Sequence, residues 1–268
     1  MKIESVCDYK AMSSVGASIL FDAAMEKISN GKPFNMGLAT GNTMITLYEE
    51  LAAKFNIAKA DLSLLNTWNL DEYALTENEG APHDHPLSYW KYMHENLFRR
   101  FSPDLGFKER NAHFPNPADP AEIDRALEAV GGIDLQLLGI GFNGHIAFNE
   151  PMSEAEITAE DFGNLPTRVL PLSETTIEQN TRLTAAGDRN LMPRYAATLG
   201  MRQILQAKRC LLLACFPEQE SQLIKMISGK RATPTLPASY LLNHPDSRVI
   251  YTADCINLGD CIYPGDAL

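Results

Sequence analysis

The sequence predicts an α/β fold: a Rossmann-like, doubly wound, mostly parallel sheet with helices on both faces and a lid segment. Two observations carry that expectation. Apolar runs alternate along the chain with segments of helical periodicity, joined by short connections, the order that covers a parallel sheet on both sides. The runs IDLQLLGIG (133–141) and RCLLLAC (209–215) are apolar nearly throughout, as strands buried from both faces should be.

The elements follow in order. Residues 8–30 carry Ala, Ile, Leu and Met at helical spacing and stop before Gly31. FNMGLA (34–39) reads as a strand, TGNT as a turn, and MITLYEELAAKF (44–55) as a helix. LSLLNTW (62–68) is a strand candidate that runs into NLDEY (69–73). Helical patterns at 119–130, 193–207 and 218–228 separate the remaining strand candidates, 133–141, 209–215 and SRVIYTAD (247–254). The stretch 152–190 is polar and interrupted by Pro and Gly, the composition expected of a lid or binding loop. No repeat, low-complexity tract or linker divides the chain. Residues 1–268 are therefore expected to form one domain, with 152–190 as its lid.

Composition and charge exclude several classes. No run reaches the 18 or so apolar residues of a membrane helix. The start, MKIESVCDYKAM, lacks a charged region followed by an apolar stretch, so a secretory leader is not expected and the cytoplasm is the expected compartment. A net charge of −11 argues against a general nucleic-acid surface. It leaves room for a small anion held by backbone N–H groups and one or two cations. Five cysteines without C-x-x-C spacing read as reduced thiols, with Cys210 and Cys215 filling core.

Three motifs fall where strands end, the place at which open parallel sheets bind ligands. LATGNT (38–43) leads from a strand through a glycine into a helix. Its N–H groups and the hydroxyls of Thr40 and Thr43 could cradle a phosphate, although a plain helix cap would look the same. NLDEY places two acids after a strand; alone, that pair reads first as a solvated turn. GIGFNGHIAFNEP (139–151) sets His145, Asn143 and Glu150 among glycines after an apolar run. A glutamate near a histidine can fix its tautomer and steady its cation. HDH (83–85), with His94 nearby, lacks a third ligand at convincing spacing and reads as a turn opening a helix, so no metal is expected.

Together LATGNT, NLDEY, HPLSYWKYMHENLF, IDLQLLGIGFNGHIAFNEP and PRYAATLGM, in this order from about residue 34 to 250, resemble the glucosamine-6-phosphate deaminase family. The related 6-phosphogluconolactonases share the GxGxxGHxA core but typically continue differently after it. The resemblance implies conversion of glucosamine 6-phosphate and water to fructose 6-phosphate and ammonia, with no cofactor. It implies Asp71 as the enolisation base, and His145 as carrier of the ring-opening proton. Glu150 would orient that histidine and Asn143 assist, while Ile146 and Phe148 anchor the loop in the core. Thr40, Gly41, Asn42, Thr43 and Arg182 would hold the phosphate of a small phosphosugar, the expected partner. A homo-oligomer is a further implication.

This chain departs from the family's pattern in places. Asn143 stands where either Asp or Asn occurs. Gln219, flanked by Glu218 and Glu220, stands where a lysine is usual, which should weaken a dianion site unless Lys230 or Arg231 reaches in or the acids point away. Arg168 matches a residue of the family's allosteric site, but Leu170 replaces a lysine, so allosteric control is not expected. These departures keep a galactosamine 6-phosphate or other modified amino-sugar phosphate as an alternative substrate. A lactonase fits less well because NLDEY and FNEP would be left unexplained, and a non-catalytic sugar-phosphate sensor because Asp71, His145 and Glu150 are all retained.

Overall fold

The computed structural model describes residues 1–259. Its elements are β1 (Lys2–Val6), α1 (Tyr9–Ile28), β2 (Phe34–Leu38), α2 (Ile45–Ala58), β3 (Leu65–Asn69), β4 (Asp71–Thr76), β5 (Glu79–Gly80), α3 (Tyr89–Asn96), β6 (Ala112–His113), α4 (Ala121–Ala129) and β7 (Leu135–Leu138). They continue as α5 (Ala159–Gly163), β8 (Arg168–Pro171), α6 (Glu174–Leu183), β9 (Tyr195–Thr198), α7 (Met201–Leu205), β10 (Cys210–Ala214), α8 (Glu220–Gly229) and β11 (Ser247–Thr252). Among the described residues, a seven-stranded sheet runs β1-β11-β10-β7-β2-β3-β6. Every pairing in it is parallel. A four-stranded antiparallel sheet, β5-β4-β9-β8, stands beside it.

The strand order places the site. From β2 the chain moves outward through β3 to β6, then returns to the other side of β2 as β7 and builds outward through β10 and β11. The direction reverses between β2 and β7, and the loops leaving those two strands diverge, which opens a crevice at their carboxyl ends. LATGNT leaves β2 and GIGFNGH leaves β7, so two of the three motifs flank that crevice. The third arrives because β3 changes sheets at Leu70. The Leu70 N–H donates to Leu38 of β2 at 3.0 Å, while its carbonyl accepts from Leu199 at 2.7 Å. Asp71 then opens β4, opposite Thr198 of β9.

Burial explains why the strongest expectations hold. All five residues of β2 and of β10 are buried. Helix α1 starts at Asp8, which accepts from the Ala11 N–H at 2.8 Å, and buries Met12, Ala17, Leu20, Ala23, Ala24 and Ile28 on one side. The main core is continuous through both layers of helices, and a smaller cluster of Tyr73, Phe148, Leu172, Ile177 and Ala196 lies on the second sheet.

One expectation needs correction. The helical pattern at 193–207 is a strand, β9, followed by the short helix α7. Ala196 and Ala197 are good helix formers, but pairing on both sides with β4 and β8 overrides that propensity. The segment 152–190 is folded, contributing α5, β8 and α6. The opening residues form β1, an edge strand that among the described residues pairs only with β11; its half-exposed pattern hides it from a search for apolar runs. No helix of the described residues is long and apolar enough to cross a membrane.

Gly200, between β9 and α7, gives the fold a checkable weak point. A Cβ there would lie 2.1 Å from the Leu165 carbonyl oxygen and 2.3 Å from the Pro166 carbonyl carbon, both backbone atoms. Gly200→Ala is expected to cost about 1–3 kcal/mol of unfolding free energy. Urea denaturation would measure it, and an unchanged midpoint would contradict the close approach.

Candidate active site

The cavity at the crevice has a volume of about 380 Å³, within the range of roughly 300–1,000 Å³ common for small-molecule sites. Thr40, Gly41, Asn42, Thr43, Asp71 and His145 line it. Side chains from α3 and α6, including Lys91, Gln179 and Asn180, close its sides together with Phe216 and Gln219 after β10.

The loop after β2 is tied down by its acceptors. The Tyr48 hydroxyl donates to the Ala39 carbonyl. The Tyr92 hydroxyl donates to Gly41 O at 2.7 Å and the Tyr9 hydroxyl to Asn42 O at 3.1 Å. With these carbonyls engaged, the loop presents donors to a ligand: N–H groups and the Thr40 and Thr43 hydroxyls. That is the chemistry of an anion cradle. Asn42 does something else with its side chain, donating to the Leu183 carbonyl of α6 at 3.3 Å.

Neither acid of NLDEY is a solvated turn residue; both are buried. Asp71 Oδ1 accepts from the Thr198 hydroxyl at 2.6 Å and from the Phe148 N–H at 3.2 Å. Burial pushes its carboxyl up to about 7, against the pull of those two donors and of His145. Glu72 instead caps α3, accepting from the N–H groups of Tyr89 at 2.9 Å and Trp90 at 2.8 Å and from the Ser88 hydroxyl at 3.1 Å. Burial raises its carboxyl too, with these donors opposing. The two neighbours thus divide the work, one facing the cavity and one holding a wall of it.

The glycine-rich loop after β7 folds His145 back over Gly141. A Cβ at Gly141 would lie 2.3 Å from the imidazole Nε2, so no larger residue fits beneath the ring. The Gly141 N–H donates to His145 O at 3.0 Å, and Gly144, with φ +90°, makes the turn between them. Asn143 Oδ1 accepts from the His145 N–H at 3.1 Å, while its Nδ2 donates to Glu150 Oε2 at 2.6 Å. Glu150 Oε1 lies 3.6 Å from His145 Nδ1, close enough for charge attraction but too long for a hydrogen bond. The Thr176 hydroxyl of α6 also donates to Glu150. Burial would raise the Glu150 carboxyl, but His145, Thr176 and Asn143 outweigh it and bring the value to about 2, so Glu150 is a carboxylate at neutral pH. Ile146 and Phe148 are both buried, as expected of loop anchors; Ala147 between them takes a left-handed φ of 52°.

Arg182 does not join this set. It extends from the last turn of α6 to Glu218 at 3.3 Å, its side chain 65% exposed, and is not among the cavity's lining residues. Gln219 is buried and bonded to backbone throughout. Its Oε1 accepts from Cys215 N at 2.8 Å and Phe216 N at 2.9 Å, and its Nε2 donates to Ile140 O at 2.7 Å. It therefore stitches the loop after β10 to the loop after β7. The flanking acids point elsewhere: Glu218 to Arg182, and Glu220 to the Asn257 N–H at 2.7 Å. Arg231 pairs with Glu154 at 2.9 Å, and neither it nor Lys230 lines the cavity.

The histidines at 83–94 have structural partners. His83 and His94 both stack on Trp90, with ring centroids 4.2 and 3.6 Å away, and His85 Nδ1 accepts from the Leu87 N–H at 3.2 Å. Sequence reasoning singled out neither Thr198 and Thr176, which bond to Asp71 and Glu150, nor Lys91, which lines the cavity. Nothing local marks Thr198 as a partner of a residue 127 positions away. Thr176 had a signal in Ser173, which caps α6 by accepting from the Thr176 N–H at 3.2 Å.

The profile of the family described as glucosamine-6-phosphate isomerases/6-phosphogluconolactonase matches residues 8–161. A glucosamine-6-phosphate deaminase of Lysinibacillus sphaericus is 36% identical over 258 residues, covering 94% of this chain and 98% of the relative. Glucosamine-6-phosphate deaminase 2 of Bacillus subtilis is 35% identical over 257 residues, covering 93% and 94%. Among solved structures, a monomeric glucosamine-6-phosphate deaminase of the NagB superfamily superposes with a TM-score of 0.82 at 30% identity, covering 95% of this chain and 98% of that one. The 6-phosphogluconolactonase of Thermotoga maritima shares the fold, with a TM-score of 0.62 at 22% identity and coverage of 94% and 98%. Architecture, motifs and likeness agree, and the chain belongs to the glucosamine-6-phosphate isomerase/6-phosphogluconolactonase family.

Proposed function

We propose that the protein is an amino-sugar-phosphate deaminase/isomerase that converts glucosamine 6-phosphate and water to fructose 6-phosphate and ammonia. The observation that carries this reading is a buried carboxylate, Asp71, in one cavity with a histidine backed by an ionised glutamate. His145 moves the proton that opens the pyranose ring, with Glu150 and Asn143 positioning it. Asp71 takes the proton from C2 of the open-chain amino aldehyde while O1 gains one, giving the enaminol; C1 is then protonated as the amino nitrogen loses a proton, leaving an imine at C2. Water then hydrolyses that imine to the ketone and ammonia. A lactonase has no need of a base that shifts protons between carbons, which favours the deaminase.

The loop Thr40–Thr43 receives the phosphate, and α6 serves as the lid, lining the cavity through Gln179, Asn180 and Leu183. Arg182, carried on the same helix, would reach the phosphate only by leaving Glu218. Assembly does not follow from family membership, since one relative is itself described as monomeric.

Purified protein supplied with glucosamine 6-phosphate and, in parallel, galactosamine 6-phosphate should release ammonia, preferentially from the first. Asp71→Asn should lower kcat by about 10²–10⁴-fold, the usual scale for a general base; undiminished release would remove Asp71 from the role. Because the working base is the carboxylate, kcat/KM should rise with pH through about 7. A flat profile between pH 6 and 8 would argue against that assignment.

The same group predicts a stability effect of opposite sense. The Asp71 value of about 7 lies above that of a free carboxyl, near 4. Between those limits the unfolded chain ionises first, so this group lowers native stability as pH rises from about 4 to about 7. Asp71→Asn keeps an acceptor for Thr198 and Phe148 but buries no charge. Thermal melts should show it more stable than wild type at pH 8, with the difference gone by pH 4. Equal melting temperatures at pH 8 would sink the prediction.

A further inference from the structure

A phosphate monoester brings about two negative charges at neutral pH, and the cavity that would take one is short of cations. Its donor-bearing loop, Thr40–Thr43, is neutral. Gln219 is neutral as well, with its oxygen and an amide hydrogen already bound to Cys215, Phe216 and Ile140. Arg182 is outside, paired with Glu218. Among the lining residues one Lys or Arg remains, and it is Lys91.

Lys91 sits on the wall that faces the loop. Its helix, α3, is fastened to that loop by the Tyr92 hydroxyl on Gly41 O at 2.7 Å. The first turn of α3 is fastened to the sheet by Glu72, through the N–H groups of Tyr89 and Trp90. The helix therefore has a fixed place, and Lys91 lines the same cavity as Thr40–Thr43. The Lys91 ammonium has no hydrogen-bond or ion-pair partner among the described residues. Glu95, one turn further along and also lining the cavity, is not paired with it. Asp71, the other acid of the lining, is engaged by Thr198 and Phe148. An unpaired ammonium beside a loop of donors, in a chain of net charge −11, is placed to meet an incoming anion.

We infer that Lys91 is the phosphate-binding cation of this site. The inference rests on the function proposed above and adds a residue that neither the motifs nor the resemblance pointed to. It also fixes a division of labour: Lys91 acts on the phosphate end of the substrate, and the proton-transfer groups act on C1, C2 and the ring oxygen. A charge at the remote end serves binding in the ground state and the transition state alike, so its loss should appear in KM rather than kcat.

The test compares wild type with Lys91→Met and Lys91→Arg. It measures kcat and KM for glucosamine 6-phosphate and, by calorimetry, the Kd of inorganic phosphate. Lys91→Met should raise both KM and the phosphate Kd by about ten- to a hundredfold, the scale of one charge-assisted hydrogen bond, with little change in kcat. Lys91→Arg should recover most of the affinity, and added salt should narrow the gap between wild type and Lys91→Met. Folding is checked by thermal melting, with Lys91→Gln as the second neutral variant. A folded neutral variant with unchanged phosphate Kd and KM would overturn the inference, as would equal losses in the Met and Arg variants through kcat. The two readings can fail separately. Lys91-dependent phosphate binding without turnover of any amino-sugar phosphate would overturn the proposed reaction and leave this site standing. Turnover with phosphate affinity indifferent to Lys91 would do the reverse.

Discussion

The structure turns on one donor cluster. The Thr198 hydroxyl and the Phe148 N–H both point at Asp71 Oδ1, and the same N–H lies 3.0 Å from Thr198 Oγ1. Three segments meet there: the start of β4, the end of β9 and the loop after β7. A carboxylate that is buried and unassisted would be prohibitively costly. Here two donors offset part of that cost and leave the rest as a raised proton affinity. The second sheet exists, in this sense, to deliver Thr198 to the end of the first, and the sheet change at Leu70 delivers Asp71 to meet it.

The parts of the fold that were legible in the sequence share one property: their residues are buried from two sides or along one continuous stripe. CLLLA in β10 and FNMGL in β2 are all buried, and α1 buries a stripe of residues from Met12 to Ile28. The parts that were not legible depend on distant pairing. Tyr195–Thr198 is a strand because β4 and β8 flank it, although its alanines favour a helix. The KIESV strand has one neighbour among the described residues, and its Glu4 is held by Arg248 from far along the chain. Local pattern cannot report such partners.

The site divides along the same line. His145, Asn143 and Glu150 lie within one loop, so their proximity was legible in the sequence, while the Asn143–Glu150 bond was not. Asp71 was found through its motif, but its burial was not foreseen, and neither was the separate work of Glu72 at the head of α3. Gln219 shows the limit most clearly. As a sequence change it looked like a lost charge; in the fold it is a cross-brace between the ends of β7 and β10. A side chain's identity tells what it can do, and only its neighbours decide which of those things it does.

Helix α6 touches both ends of the cavity. Through Leu183 it receives the Asn42 amide of the loop after β2, and through Thr176 it donates to Glu150 behind His145. A rigid helix of this length cannot swing away from one end without disturbing the other. Displacing it would strip Glu150 of the Thr176 donor. On the function proposed above, movement of α6 would join two events: the loop after β2 would lose its Asn42 tether as the carboxylate behind His145 lost a donor.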